Sequence, residues 1–278
     1  MTNSLGKARD TEDGTFMHPR IRGTAVALTL ISSLLGTVAR AEFITIEDFE
    51  TLTPGPIGGQ AGWTAPGTGS TVAADPVQTD AQVLSVLTES THLFRELVVA
   101  QSASRMLFFR FRIENQASLS FGLSDVVHPD RFDHFEIELS VTNSPTTLRI
   151  NNGGTYDALL PLQLGTWYNC WVWVDNGADS TQVWLHPRAG ENATSADRLA
   201  FGDESAFAFR NGTGGDLATF YTKTGGGNGV DGPILLDDIH LEDTDTLNLT
   251  NPADAPTATV DPTTWGSIKA GSQAGPDK

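Results

Sequence analysis

From Glu42 to about Asp243, apolar and polar positions alternate over short segments, separated by clusters of Gly, Pro, Asn, Asp and Ser. No stretch longer than a turn or two repeats at helical spacing, whereas alternate residues of a strand share a face. The pattern predicts strands over 43–49, 82–87, 92–99, 106–113, 119–123, 132–139, 147–150, 167–174, 181–185, 206–209, 217–221 and 234–241. A dozen short strands with turn residues between them predict an all-β, antiparallel sandwich or jelly roll rather than βα units.

Two segments assign their faces plainly. In 107–113, Leu107, Phe109, Phe111 and Ile113 are predicted to face the core, leaving Phe108, Arg110 and Arg112 outside. In 133–139 the core set is Phe135, Ile137 and Leu139, with His134, Glu136 and Glu138 opposite. The segment 167–174 is different. Trp167, Trp171 and Trp173 share one face with Asn169, and Tyr168, Cys170, Val172 and Val174 share the other, so both faces are buriable.

The N-terminal segment belongs to another class. Arg20 and Arg22 precede the apolar run 23–38, which ends in Ala39-Arg40-Ala41. A basic flank, a short apolar core and a small-x-small end have the form of a secretory signal peptide. The run is short for a membrane span of about 20 residues. The expected organisation is residues 1–41 as the signal region (Met17 offers a second start), 42–245 as the jelly-roll domain and 246–278 as a flexible tail. That tail is rich in Pro, Ala, Thr, Gly and Ser, with Trp265 and Ile268 its only sizeable hydrophobes. The protein is accordingly expected to be secreted, periplasmic or at the cell surface.

Charge narrows the partners. The chain carries 17 Lys+Arg against 34 Asp+Glu, a net charge of −17. Residues 1–41 hold five of the basic and three of the acidic residues, so 12 against 31 remain beyond Ala41, a net −19. Nucleic acid and anionic membrane both need basic patches, so neither is an expected partner, and no membrane insertion of the mature chain is expected. The single cysteine, Cys170, rules out an intramolecular disulfide and reads as a buried thiol.

Three motifs carry a resemblance. Ile46-Glu47-Asp48-Phe49-Glu50 followed by Gly59-Gln60-Ala61-Gly62-Trp63, the strand Trp167-Tyr168-Asn169-Cys170-Trp171, and the closing Leu235-Leu236-Asp237-Asp238-Ile239 resemble secreted bacterial concanavalin A-like (laminin-G-like) jelly-roll proteins. The resemblance spans most of 43–242. It implies a curved two-sheet sandwich, often with a structural calcium ion and a concave glycan-binding face. Lectin-like modules, glycosidases and polysaccharide lyases all use this fold, so fold leaves activity open.

Three constellations could carry chemistry. Asp48 and Glu50 on the first strand and Asp237 and Asp238 on the last would meet if the terminal strands pair, and calcium takes six to eight oxygens. Asp48, Glu50 and Asp238 are the expected metal ligands, with Asp231 and Gly232 as further donors; the competing reading is a solvated strand end. The outward set Arg110, Arg112, His134, Glu136 and Glu138 would form ordinary cross-strand pairs, or a polar groove in which Arg110 or Arg112 grips a uronate carboxylate. Trp171 and Trp173, with Trp167, would offer flat faces to sugar rings, or pack in the core.

Catalysis has weaker support. A glycosidase needs two carboxyl groups about the scissile bond, and laminarinase-type relatives carry them as Glu-x-Asp-x-x-Glu. Here Glu136 and Glu138 are followed by Val141 in the third position. Alginate-lyase-like relatives carry Arg-x-Glu-Leu-Arg; here Arg95-Glu96-Leu97 is preceded by Phe94 and followed by Val98, and no Gln-x-His strand occurs. His134 with Tyr221 is the remaining base–acid pair. The sequence therefore predicts an exported, calcium-stabilised, non-catalytic module that binds a polysaccharide or glycoconjugate through Arg110, Arg112, His134, Glu136, Trp171 and Trp173. The alternatives are a lyase acting on an acidic glycan and a structural envelope component.

Overall fold

A computed structural model describes residues 42–66, 69–87, 92–187, 190–225 and 233–253. Among them the strands are β1 (Phe43–Glu47), β2 (Gly55–Pro56), β3 (Ser70–Ala74), β4 (Gln82–Val86), β5 (His92–Val99), β6 (Ser104–Ile113), β7 (Leu119–Ser124), β8 (Ile137–Asn143), β9 (Thr146–Asn152), β10 (Thr155–Pro161), β11 (Trp167–Asp175), β12 (Ser180–His186), β13 (Phe207–Ala208), β14 (Leu217–Thr224) and β15 (Ile234–Glu242). They form two antiparallel sheets: a nine-stranded one in the order β13-β12-β11-β6-β15-β4-β3-β2, with β1 also on β15, and a six-stranded one in the order β10-β9-β8-β7-β14-β5. The architecture is a two-sheet jelly-roll sandwich. No helix among the described residues is long and apolar enough to cross a membrane.

The core lies between the sheets. Leu107, Phe109, Phe111 and Ile113 of β6 meet Phe121 of β7 and Phe220 of β14, all essentially without solvent contact. Tyr168, Cys170, Val172 and Val174 supply the inward face of β11. Burial of the Cys170 thiol pushes its pKa up, well out of the ordinary thiol range.

The opening motif acts as a clasp between the sheets. Buried Glu47, at the end of β1, accepts from the Arg95 guanidinium of β5 in the opposite sheet, from the Trp63 indole N–H at 3.2 Å and from Phe49 N–H at 3.1 Å. Trp63 lies between Phe49 and Phe220, with ring centroids at 5.9 and 6.3 Å. Gln60 ties the intervening loop: its amide accepts from Thr53 N–H and donates to the carbonyls of Thr53 and Pro56. The Glu-x-Phe and Gln-x-x-Trp residues are therefore structural, joining the first strand to β5 beside the backbone bridge between Thr64 and Phe94.

The strands depart from the predicted pattern in several places. Residues 132–139 are not one strand: Phe132–His134 form a 3-10 helix, and β8 begins at Ile137. Phe135 consequently turns away from the core and stacks on Tyr221 at 4.3 Å, on the outward side of the six-stranded sheet. β2, β3 and β10 lack the strong apolar alternation that would have marked them. The segment after Asp245 also does more than trail: Leu249 and Ala253 pack on the outer face of the nine-stranded sheet. The proposed signal region and residues 254–278 lie outside the described residues.

Candidate functional site

The polar set of five does not form one surface. Arg110 and Arg112 are on β6 of the nine-stranded sheet, whereas Glu138 is on β8 of the six-stranded sheet and His134 and Glu136 precede it. Both groups point away from the shared core, so they occupy opposite outer faces of the sandwich. Arg112 pairs with Glu114. Arg110 donates to Asp238 at 2.7 Å, lies 3.9 Å from Asp237 and covers the Trp167 ring at 4.8 Å. The period of two assigns each residue to a face of its own strand, and the sheet to which the strand belongs is decided by tertiary pairing.

Of the acid set, Asp237 and Asp238 meet at the Arg110 guanidinium. β15 pairs with β4 through Leu236 and with β1 from Ile239 onward. Asp237 and Asp238 occupy the seam between those partners, at a bulge where Asp238 has φ +50°. Glu50 accepts from Gln82 N–H at 3.1 Å and Asp48 from Glu50 N–H at 3.2 Å. Burial, with the neighbouring carboxylate, raises the Asp237 pKa well above the ordinary range. Burial outweighs the Arg110 charge at Asp238 and raises it to about 6, with Asp48 and Glu50 adding to the rise. Among the described residues no three His, Cys, Asp or Glu side chains are placed to hold a metal ion. Asp238 pairs with Arg110, while Asp48 and Glu50 accept from backbone N–H groups; Asp231 and Gly232 lie outside the described residues.

The tryptophan row is also covered. Trp171 is fully buried with Met106, Phe108 and Trp184, beneath Leu249 and Ala253. Its indole N–H donates to the Thr250 carbonyl at 2.9 Å. Trp173 is partly buried against the same cluster. Trp171 thus offers no ring face to a ligand, and Trp167 and Trp173 are each only partly exposed.

The outward face of the six-stranded sheet is the other candidate. Its register aligns one row across the sheet: Arg149 of β9, Ser140 of β8, Ser120 of β7, Lys223 of β14 and His92 of β5. Each of these alternates with a core residue, such as Leu148, Leu139, Leu119 and Leu93, which fixes the row as outward. Beside it lie Tyr156, Asn151, Glu138, Gly122, Tyr221 and Phe94. Tyr221 and Phe94 are roofed by Phe135 and His128. The Tyr221 hydroxyl donates to the Arg131 carbonyl and burial raises its pKa, so it is not placed as an acid for a lyase.

Glu138 anchors the other end. Its carboxylate has no solvent exposure. It accepts from Tyr156 OH at 2.6 Å, Ser120 OH at 2.7 Å, Asn151 amide at 3.1 Å and the Arg210 guanidinium. A buried carboxylate is tolerated when its lone pairs are all used. Burial, and donation to Glu138, raise the Tyr156 pKa, while its ring stays exposed and carries the Arg149 guanidinium at 4.5 Å. Glu136 accepts from the Asn211 backbone and side chain, each at 3.3 Å; burial raises its pKa despite those bonds. His134 accepts from Asp130 N–H through Nδ1.

The sequence marks Lys223 only within Tyr221-Thr222-Lys223, as an echo of a lyase strand, and does not mark Arg149, Ser120, Ser140 or Tyr156. The alternation Leu148-Arg149-Ile150 was a usable signal for an outward cation. Nothing local links it to Lys223, 74 positions later.

No family model and no curated protein matches this sequence. Among solved structures, the catalytic domain of a glycoside hydrolase family 131 protein from Coprinopsis cinerea superposes with a TM-score of 0.50 at 14% identity, over 77% of this chain and 100% of its own. A sialidase superposes with a TM-score of 0.51 at 11% identity, over 74% of this chain; the chain spans only 19% of the sialidase's length. The lectin UEA-II complexed with galactose gives 0.48 at 10% identity, over 70% of this chain and 97% of its own. The chain has the concanavalin A-like, two-sheet jelly-roll fold.

Proposed function

We propose that this protein binds carbohydrate on the outward face of its six-stranded sheet, without cleaving it. The observation that carries the reading is the Tyr156–Glu138 unit: an exposed aromatic ring fixed by a 2.6 Å bond to a buried carboxylate. A rigid ring beside polar groups suits a sugar, which presents apolar faces and hydroxyls together. A fold shared with the catalytic domain of a glycoside hydrolase supports a glycan as the ligand class. Binding without hydrolysis is supported by the saturation of Glu138 by four donors and the engagement of Glu136 with Asn211, which leaves neither free to shuttle a proton. The basic-then-apolar segment before Ala41 supports action outside the cytoplasm.

The test is a glycan panel probed with the wild type and Tyr156→Ala. A ligand whose affinity falls at least roughly tenfold in the variant, with no new reducing ends released, fits the reading. Release of reducing ends would replace it with hydrolysis, and a blank panel with folded protein would leave a structural role.

A further inference from the structure

Cations are scarce in this chain, and their pairing is uneven. Of the nine described Lys and Arg residues, Arg95, Arg105, Arg110, Arg112, Arg131 and Arg210 each have a carboxylate partner. Arg149, Arg198 and Lys223 have none among the described residues. Arg198 is satisfied by the Ser205 carbonyl and covers Trp184. The other two stand on the same row of the six-stranded sheet.

Among the described residues Arg149 donates to the Ser140 hydroxyl at 3.3 Å, and its buried Nε meets no acceptor. Among the described residues the partner of Lys223 is the Phe132 ring, 5.3 Å from its Nζ. A partly desolvated cation without an anion is costly, and a guanidinium presents a fork suited to a carboxylate or sulfate. The register places Ser140 and Ser120 between them. Three strand spacings of about 4.8 Å separate the two cations by roughly 14 Å, a length for several sugar units rather than one. Each cation also has a half-exposed or exposed aromatic ring beside it, Tyr156 at one end and Phe132 at the other.

We propose that the row Arg149–Ser140–Ser120–Lys223 is a track for an anionic glycan, with acidic groups of separated sugars seated on Arg149 and Lys223 and sugar faces against Tyr156 and Phe132. This rests on the glycan-binding reading and adds the charge class of the ligand. The chain's net charge of −17 opposes a polyanion only weakly at distances beyond about 8 Å in physiological salt. The local row therefore governs contact.

The experiment is calorimetric titration of the full chain with matched hexamers in several linkages: a uronate oligomer, its carboxyl-reduced neutral counterpart, and a sulfated form of that counterpart. The expected result is one acidic form binding at least roughly tenfold tighter than its neutral match, since a charge-assisted contact is worth about that much. Arg149→Gln and Lys223→Gln should each remove most of that advantage, lowering acidic-oligomer affinity by a larger factor than neutral-oligomer affinity. Uronate preference assigns carboxylates to the track, and sulfate preference with the same sensitivity assigns sulfates. Equal affinity for neutral and acidic forms, or equal losses for both in the variants, overturns the track and leaves glycan binding standing. If no hexamer binds while circular dichroism reports folded protein, the glycan-binding reading fails and the track with it. Should Arg149→Gln not fold, Lys223→Gln at the other end carries the same prediction.

Discussion

The indole N–H of Trp171 donates to the backbone carbonyl of Thr250, 79 residues away, at 2.9 Å. That bond makes the C-terminal segment the lid of a second apolar cluster, outside the sandwich core. Leu249 reinforces it by accepting from Ala193 N–H at 2.9 Å, and Asn251 N–H donates to the Asn192 side chain at 2.8 Å. Deleting residues 249–278 should therefore expose Trp171. The expected readout is a red-shifted, more quenchable tryptophan emission, with the difference reduced in Trp171→Phe to the share of Trp173 and Trp184 in the same cluster. Trp171→Ala in the intact chain should cost about 3–5 kcal/mol in urea unfolding, as for other buried large-to-small changes.

The Asp237–Asp238–Arg110 group predicts a pH dependence. A carboxyl whose folded pKa is raised binds its proton more tightly when folded. Its stabilising contribution is then full below the unfolded value, near 3.8, and is lost as pH rises through about 6 for Asp238. Asp237→Asn imitates the protonated form and keeps the acceptor for Asp238 N–H, now 2.9 Å away. The variant should melt higher than wild type at pH 7.5, by a few degrees. The gap should close toward pH 4.

The same guanidinium gives a prediction about metal. With Arg110 as the partner of Asp238, EDTA should leave the melting temperature unchanged, and Arg110→Met should lower it. A rise in melting temperature on adding calcium would instead return Asp48, Glu50 and Asp238 to the role of ligands.

Glu138 tests the floor of the proposed binding face. Glu138→Ala leaves Arg210, Asn151 and Tyr156 without their shared acceptor, and should cost about 3–5 kcal/mol, the range for breaking a buried ion pair. Glu138→Gln keeps one acceptor oxygen and should cost less. Equal losses for both variants would mean that the carboxylate charge, rather than its geometry, holds the four donors.

Gly122 lies opposite Glu138 on β7. A Cβ there would stand 2.0 Å from the Ile137 carbonyl oxygen, which cannot move without breaking the β7–β8 ladder. Gly122→Ala should destabilise by roughly 3–5 kcal/mol, measured by denaturant midpoint.

Local and periodic features were legible in the chain. Turn residues between alternating segments specified strands, and the inward set of β6 was readable because burying one face requires apolar side chains at every second position. The opening Glu-x-Phe and Gln-x-x-Trp marked a place where something specific happens, though not that Glu47 would bind Arg95 across the sheets. Tertiary structure alone decided which strands share a sheet. That choice separated Arg110 from Glu138, placed Arg149 in line with Lys223, and turned Phe135 outward once a 3-10 turn broke the strand's alternation. It also settled the tryptophan strand. A strand apolar on both faces is compatible with a ligand platform or with a second buried layer, and only the return of residues 249–253 over Trp171 distinguished them. The physical reason is common to all these cases: side-chain periodicity is written within a strand, whereas register and cover are set by long-range pairings that no local segment encodes.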